Sequence, residues 1–355
     1  MSAPSLIAIA TNRRTAAFER RVEKVLAVHL PIEAPVVVAC SGGPDSLATL
    51  VAVARTRAAG TVTAAHFDHR LRPAAEVAPE RGLVEAVASS VGAVFLGGRA
   101  PRVPTDRGES AAREARYRWL ARVCTRVGAR FCLTGHHLDD QAETVLLRLA
   151  RGTGLRGAAG MSARADWPIP AQGTRALSLV RPLLAISRAE IEGYLDALGL
   201  EPACDSSNDA LDYARNRVRQ RVLPELRQIN RTAAAQIAAF ANRARDDDDA
   251  LEVWAAQILA ADARVLTAGI AIDRVALLGL PRAVASRVVR QAASRLGVAL
   301  GAEQTDAAVH AARAGGRRAA LGAGLEASRQ GRQLLVAREG ATQIGRVSRF
   351  PEKFS

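Results

Sequence analysis

Val36-Val37-Val38-Ala39-Cys40-Ser41-Gly42-Gly43-Pro44-Asp45-Ser46-Leu47-Ala48-Thr49-Leu50-Val51 is the stretch whose reading decides the fold. An apolar β-branched run that stops at a Gly-Gly turn and restarts with helical spacing predicts strand, tight loop, helix. Such a loop turns several backbone N–H groups into one small space at the positive end of a helix dipole, which makes an anion cradle. Gly42 and Gly43 admit positive φ and let the backbone approach a phosphate, while Ser41 and Ser46 add hydroxyl donors. Asp45 is the odd member. A carboxylate beside phosphate oxygens repels them unless a cation lies between, so it implies Mg²⁺. A helix cap would explain a Ser or Asp here. It does not explain all six residues from Ser41 to Ser46 directly behind a buried-type strand. The string also lacks the Gly-Lys-Ser/Thr ending of a Walker A loop.

Outward from this stretch the chain alternates strand and helix. A helix over 15–30 precedes the first strand, and a second strand, Thr61 to Phe67, ends in Asp68-His69-Arg70-Leu71-Arg72. Nucleotide-binding folds hold a ligand at the carboxyl ends of their strands, so Phe67 and Asp68 fall where adenosine would lie. A helix over 77–91, a strand over 93–96 and a helix over 109–127 follow. The last carries Arg113 and Arg116 on one face, either of which could reach the cleft. A fourth strand, Arg130 to Thr134, leads into Gly135-His136-His137-Leu138-Asp139-Asp140-Gln141-Ala142-Glu143-Thr144. The helix dipole accounts for one acid in a first turn. Two histidines, two aspartates and a glutamate exceed it. His136, Asp140 and Glu143 or Thr144 are expected on one side of a helix, presenting a proton carrier and carboxylates to a cationic substrate. A zinc site is disfavoured, since Cys or His-x₃-His spacing is missing.

Residues 151–161, rich in Gly and Arg, read as a basic mobile loop. A fifth strand is expected over 177–180. Ser187 with Glu190 forms a capping box for a helix from Arg188 to Leu198, stopped by Gly199. Asp205-Ser206-Ser207-Asn208-Asp209 reads as a turn, followed by Arg215, Arg217, Arg219 and Arg221, a density that suits phosphate or nucleic-acid contact as well as solvated helix surface. Beyond Leu223 the composition shifts to alanine-rich helix, expected to break at Asp246 to Asp249. A short strand at 269–273, helices over 281–296 and 303–314, and a hairpin region over 317–336 complete a second domain. The expected division is 1–222, a catalytic domain; 223–340, a small mainly helical domain made basic by residues such as Arg287; and 341–355, a tail. The fold class is α/β, a doubly wound, mostly parallel sheet with a second, smaller domain.

The 355 residues are long enough for two or three domains. With 49% hydrophobic residues, mean hydropathy near zero and no run of about twenty apolar residues, the chain reads as globular and not embedded in a membrane. Met1 to Arg14 lacks the order of a signal peptide, so a cytoplasmic location is expected. The formal net charge is +14, and only Lys24 and Lys353 are lysines among 49 basic residues. A GC-rich genome explains arginine over lysine. The excess of positive charge points to a polyanionic partner. Cys40, Cys124, Cys132 and Cys204 stand far apart with no Cys-x-x-Cys pair, as in reduced, inert thiols.

Ser41 to Ser46 resembles the pyrophosphate-binding (PP) loop of the N-type ATP pyrophosphatases, with their Ser-Gly-Gly-x-Asp-Ser signature. Together with Phe67-Asp68-His69-x-Leu71-Arg72, Gly135 to Thr144, the 151–161 loop, Arg181-Pro182-Leu183 and Asp205-x-Ser207-Asn208 through Tyr213-x-Arg215-Asn216-x-Val218-Arg219, it is similar to the tRNA(Ile)-lysidine synthetases over about 35–221. The remainder, 223–340, is similar only more weakly to that family's small helical tRNA-binding domain, and longer members carry one more C-terminal domain. The resemblance implies ligation of L-lysine to C2 of cytidine 34 in a tRNA(Ile) with a CAU anticodon, through an adenylate formed from ATP. It implies that Ser41, Gly42, Gly43, Pro44, Asp45 and Ser46, with Phe67 and Asp68, hold ATP, and that Asp45 holds Mg²⁺. His136, Asp140 and Arg113 would carry the chemistry. Asp140, Glu143, Arg215, Arg217 and Arg219 would meet lysine or tRNA. Other readings are a tRNA thiolase, disfavoured by the scattered cysteines, and a non-enzymatic RNA-binding protein, which leaves the acidic motif unexplained. The oligomeric state is open, with a homodimer as one expectation.

Overall fold

A computed structural model describes residues 9–101, 109–169, 173–174, 176–203, 214–313 and 318–340. The chain divides into two compact units, Met1–Arg243 and Ala244–Ser355. In the first unit the elements run α1 (Arg13–His29), β1 (Val36–Ala39), α2 (Pro44–Thr56), β2 (Val62–Asp68), α3 (Ala74–Ser90), β3 (Val94–Arg99), α4 (Glu109–Arg126), β4 (Phe131–Leu133) and α5 (Leu138–Ala150). They continue through α6 (Leu155–Ala158), β5 (Arg164–Asp166), β6 (Ser178–Val180), α7 (Arg188–Leu198), α8 (Ala214–Arg217), a π-helical turn over Val218–Val222, and α9 (Leu223–Ile229). The helix α10 (Ala233–Asp262) carries the division between the units.

The strands form one sheet in the order β3-β2-β1-β4-β6-β5, parallel except for β5, which runs antiparallel to β6. A parallel strand needs both faces covered, and Val36-Val37-Val38 is apolar throughout for that reason. Val36 and Val38 join a core with Leu26, Leu50 and Leu195 of α1, α2 and α7, while Val37 joins Tyr117, Leu120 and Cys124 of α4 on the other face. From β1 the chain steps outward to β2 and β3, then returns to place β4 on the far side of β1. The order therefore reverses between β1 and β4, and the crevice beyond the carboxyl ends of these strands is where such sheets bind ligands.

Local chemistry explains the helix ends. Ser187 and Glu190 form the expected capping box on α7, and Gly199 closes it at φ 70°. Pro224 lacks a donor, and the turn before it widens to π geometry, with the Leu223 N–H reaching the Val218 carbonyl. The 151–161 segment departs from the mobile loop expected of it. It contains α6, Arg148 Nη1 donates to the carbonyls of Gly157 (3.1 Å) and Gly160 (2.8 Å), and the Gln141 amide exchanges two hydrogen bonds with the Met161 backbone. The short polar β5 gave no strand signal. The turn over 205–209, Tyr213, Cys204 and the tail over 341–355 lie outside the described residues.

The second unit holds the last turns of α10, then β7 (Ala263–Leu266), β8 (Gly269–Asp273), α11 (Arg274–Gly279), α12 (Arg282–Arg295), α13 (Ala302–Ala311), β9 (Ala319–Gly322), β10 (Leu325–Gln330) and β11 (Gln333–Arg338). Its strands pair as a five-stranded antiparallel sheet, β7-β8-β11-β10-β9, where the sequence suggested only a strand and a hairpin region. Ile270, Ile272, Leu334 and Val336 pack with Leu259, Val288 and Ala308 of the helices. The helix α10 does not break at Asp246 to Asp249. Asp248 is buried and ion-paired with the equally buried Arg287, and Glu252 accepts from Gln291 Nε2 at 2.7 Å, while the other three aspartates are exposed. Arg287 is therefore an internal tie and not surface charge. The change of composition at Leu223 precedes the division between units by about three turns of α10 and all of α9, because Leu223 and Ala234 pack on Ala142 of α5. Among the described residues no helix is long and apolar enough to cross a membrane.

Removing one partner of a buried pair strands the other charge. Asp248→Ala is expected to cost about 3 kcal/mol in urea unfolding, and Asp247→Ala, at an exposed position, less than about 0.5 kcal/mol. Equal effects would show that the Asp248–Arg287 pair is not what keeps α10 whole.

Candidate active site

The loop between β1 and α2 is built around the Ser46 hydroxyl. Its Oγ receives N–H groups from Ser41 and Gly42, both at 3.2 Å, and donates to the Gly43 carbonyl at 2.9 Å. Gly42 sits at φ 96°, a conformation that glycine adopts without strain. Gly43 is the N-cap of α2 and offers no side chain, and Pro44 occupies the first turn, so the remaining first-turn donors point outward uncapped.

The end of β4 lies directly against this loop. β1 and β4 are paired neighbours, and a Cβ on Gly135 would stand 2.7 Å from the carbonyl carbon and oxygen of Asp45. Only glycine fits there. His137, buried at 2% exposure, is the N-cap of α5: its Nδ1 accepts the Asp139 N–H at 3.2 Å, and its own N–H donates to Asp140 Oδ2 at 3.0 Å. With Nδ1 engaged by that N–H, Nε2 is the ring nitrogen left to meet other groups. That atom faces Asp45 Oδ1 at 3.7 Å and Asp140 Oδ2 at 3.5 Å. One imidazole thus joins the phosphate-type loop to the acidic motif.

Around this junction lies a cavity of about 1040 Å³, lined by the loop, the ends of β2 and β4, and parts of α4 and α7. The volume suits a nucleotide with a second small reactant. Phe67 and Asp68 both line it. Phe67 stacks on Trp119, and Asp68 is tied down by the Arg70 N–H (2.6 Å) and Arg99 Nε (3.0 Å). His66 Nδ1 donates to the Cys40 carbonyl at 3.0 Å.

His136 also lines the cavity, with Nδ1 hydrogen-bonded to the Thr134 hydroxyl at 2.8 Å. Burial, reinforced by Arg181, Arg215 and Arg116, pushes it down to about 3 against the pull of Asp140, so the ring is neutral near pH 7 and a poor proton carrier. Burial raises the carboxyl of Asp45, opposed by His137 and Arg188. For Asp140 burial acts upward, but His137, Arg215 and the hydrogen bond from the His137 backbone N–H outweigh it and the net shift is downward.

Arg113 is exposed, with its guanidinium 5.0 Å from the Tyr117 ring, and it does not line the cavity; Arg116, one turn on, does. The helix face that 113 and 116 share was legible, but which of the two looks inward depends on how α4 packs. Arg188, missed in the sequence because it reads as an ordinary first-turn residue, lines the cavity 3.5 Å from Asp45 Oδ2. Arg215 and Arg219 turn inward to Asp140 and Glu143, whereas Arg217 is exposed. Glu143 is fully buried between those arginines, so it does not stand open to a substrate cation as its spacing suggested.

The chemistry of Asp45 suits Mg²⁺. Its Oδ1 is buried and has no hydrogen-bond partner among the described residues. No group of three or more ligating His, Cys, Asp or Glu side chains occurs among the described residues.

A PP-loop domain profile matches residues 14–226. The tRNA(Ile)-lysidine synthase of Salinispora tropica is 43% identical over 255 residues, covering 69% of this chain and 72% of that protein. The tRNA(Ile)-lysidine synthase of Thermobifida fusca is 38% identical over 281 residues, covering 77% and 81%. The chain belongs to the tRNA(Ile)-lysidine synthase family. Among solved structures, the U34-tRNA thiolase NcsA from Methanococcus maripaludis, with its [4Fe-4S] cluster, superimposes with a TM-score of 0.52 at 17% identity, over 65% of this chain and 79% of that one, a likeness of fold alone. The loop, the Gly135 contact and the acidic motif of this lysidine synthase family member all fall inside the profile-matched span.

The depressed His136 has a consequence for stability. Below pH 6.5 the unfolded chain takes up a proton that the folded ring refuses until about pH 3, so stability is full above 6.5 and declines as pH falls. Between pH 6.5 and 5 the expected loss is on the order of 1–2 kcal/mol, and urea unfolding of His136→Asn should show a shallower decline. Parallel declines in wild type and variant would contradict the neutral ring.

Proposed function

We propose that this chain ligates L-lysine to C2 of cytidine 34 in a tRNA(Ile) bearing a CAU anticodon, consuming ATP and releasing AMP and pyrophosphate. The observation that carries the reading is the junction itself: an anion-binding loop and an acidic, histidine-bearing helix start meet within one imidazole's width. The two reactants of such a ligation, a polyphosphate and an ammonium, need opposite electrostatics side by side.

In the first step the cytidine O2 attacks the α-phosphorus and the bond to pyrophosphate breaks. The loop from Ser41 to Ser46 and the uncapped start of α2 hold the phosphates, with Phe67 and Asp68 at the adenosine end. Asp45 would hold Mg²⁺, which when bound offsets charge on the leaving pyrophosphate. Arg116 takes the adenylate-stabilising role that the sequence suggested for Arg113, since it lines the cavity. His136, neutral, contacts the cytosine as a hydrogen-bonding group. In the second step the lysine Nε attacks C2, the C2–O bond breaks and AMP leaves. Lysine is protonated in solution, so a carboxylate must first bind it and then accept its proton; Asp140, which lines the cavity, serves as that base, with Glu143 adding negative charge from behind the arginines. Arg217 and Arg221, both exposed, would meet RNA phosphates. A cytoplasmic location fits this substrate. Sulfur insertion would need a reactive thiol, and the cysteines among the described residues, Cys40, Cys124 and Cys132, are all buried, with the Cys40 thiol pushed up to about 11 by burial.

The test is incorporation of labelled lysine into transcribed CAU-anticodon tRNA with ATP. Wild type is expected to incorporate it, and Asp45→Asn and Asp140→Asn to lose about a hundredfold or more in rate. Undiminished transfer in both variants would refute the site, and no lysine transfer by the wild type would refute the function.

A further inference from the structure

The carboxylates of Asp140 and Glu143 have no open oxygen. Arg215 donates Nη2 to Asp140 Oδ1 (2.7 Å) and Nε to Glu143 Oε2 (2.8 Å). Arg219 donates Nε to Glu143 Oε1 (2.6 Å) and Nη2 to Asp140 Oδ1 (3.1 Å). The His137 N–H takes Asp140 Oδ2. An ammonium arriving from solvent meets acids already neutralised by guanidiniums on the same chain. A tethered partner outcompetes a free one of equal contact strength, because its association costs no translational freedom.

The two arginines stand differently. Arg219 lines the same cavity as the phosphate-type loop, and its charge and that of Asp45 act on each other; Arg215 does not line the cavity. The Arg219 side chain is 35% exposed, so it can turn without opening a core, and it belongs to the π-helical turn, the irregular part of the segment. An arginine fork fits phosphate as well as it fits carboxylate.

We infer that Arg219 is a positioning residue that exchanges partners: without nucleotide it holds Glu143 and Asp140, and when nucleotide phosphates fill the loop it moves onto them. The acidic pair then opens to an ammonium only after the nucleotide has bound. This rests on the ATP and lysine reading above. Turning Arg219 away leaves Glu143 buried with part of its charge unmet, a costly state that a substrate ammonium relieves. The coupling is reciprocal, so lysine raises nucleotide affinity by the same factor.

Equilibrium dialysis of radiolabelled L-lysine against the full chain, with and without a non-hydrolysable ATP analogue and Mg²⁺, tests this. Wild type is expected to bind lysine about tenfold or more tightly with the analogue. Arg219→Gln is expected to bind lysine more tightly than wild type without nucleotide and to respond to the analogue by less than about twofold. Arg219→Lys, a point charge without the fork, should keep part of the response. If Arg219 were only a strut, Arg219→Gln would weaken lysine binding under both conditions, and that result overturns the inference. So does wild-type binding that ignores the analogue or is undetectable in both arms, a comparison that stands even if a variant fails to fold. Lysine incorporation into tRNA with uncoupled binding would sink the partner exchange and leave the proposed function standing.

Discussion

The ring of His137 lies between two carboxylates that come from different parts of the chain, Asp45 at the start of α2 and Asp140 in the first turn of α5. It can do so because Gly135 lets β4 run out against the Asp45 peptide with no Cβ in the way. The ring's orientation is set by the cap it forms on α5, where Nδ1 accepts one backbone N–H and leaves Nε2 to face the acids. Parallel pairing of β1 with β4 brings the two segments side by side, and the glycine and the histidine turn adjacency into contact. A longer side chain at 135 would separate the loop from the acids, and the site would become two half-sites.

Charge is the second constraint. A crevice proposed to take both a polyphosphate and an ammonium cannot be of one sign. Here acids and arginines alternate around one cavity, with Asp45, Asp68 and Glu80 facing Arg72, Arg116, Arg188 and Arg219. Most are paired: Arg72 forks onto Glu80 at 2.7 and 2.8 Å, and Arg188 reaches both Asp45 and Glu192. Pairing keeps the desolvation cost of each charge tolerable and holds the fork geometry ready for a phosphate. Asp45 Oδ1 stands apart as a buried carboxylate oxygen with no hydrogen bond among the described residues, which fits the cation proposed for it.

Much of the first unit was legible because its signals are local. Val36 to Leu50 specifies strand, turn and helix by residue type alone, and Ser187, Glu190 and Gly199 mark both ends of α7. The meeting of loop and acidic motif followed from the parallel α/β rule. What was misread depended on partners distant in sequence. Four aspartates in a row looked like a helix break until Arg287 supplied a buried counter-charge for Asp248. Arg113 and Arg116 share a face in the sequence, and packing of α4 decides which one faces the cavity. Glu143 looked open to a ligand because nothing local announced that Arg215 and Arg219, more than seventy residues on, would cover it. The glycine-rich segment after α5 looked mobile because its anchors, Gln141 and Arg148, lie in the preceding helix.

The central claim is that a nucleotide binds across the β1–β4 switch point with its phosphates in the Ser41–Ser46 loop. A crystal structure of the full chain with a non-hydrolysable ATP analogue and Mg²⁺ tests it most directly. Phosphate oxygens are expected against the loop amides, the cation on Asp45 Oδ1, and the adenosine beside Phe67 at the end of β2. A nucleotide seated elsewhere, or a cation held without Asp45, would contradict it.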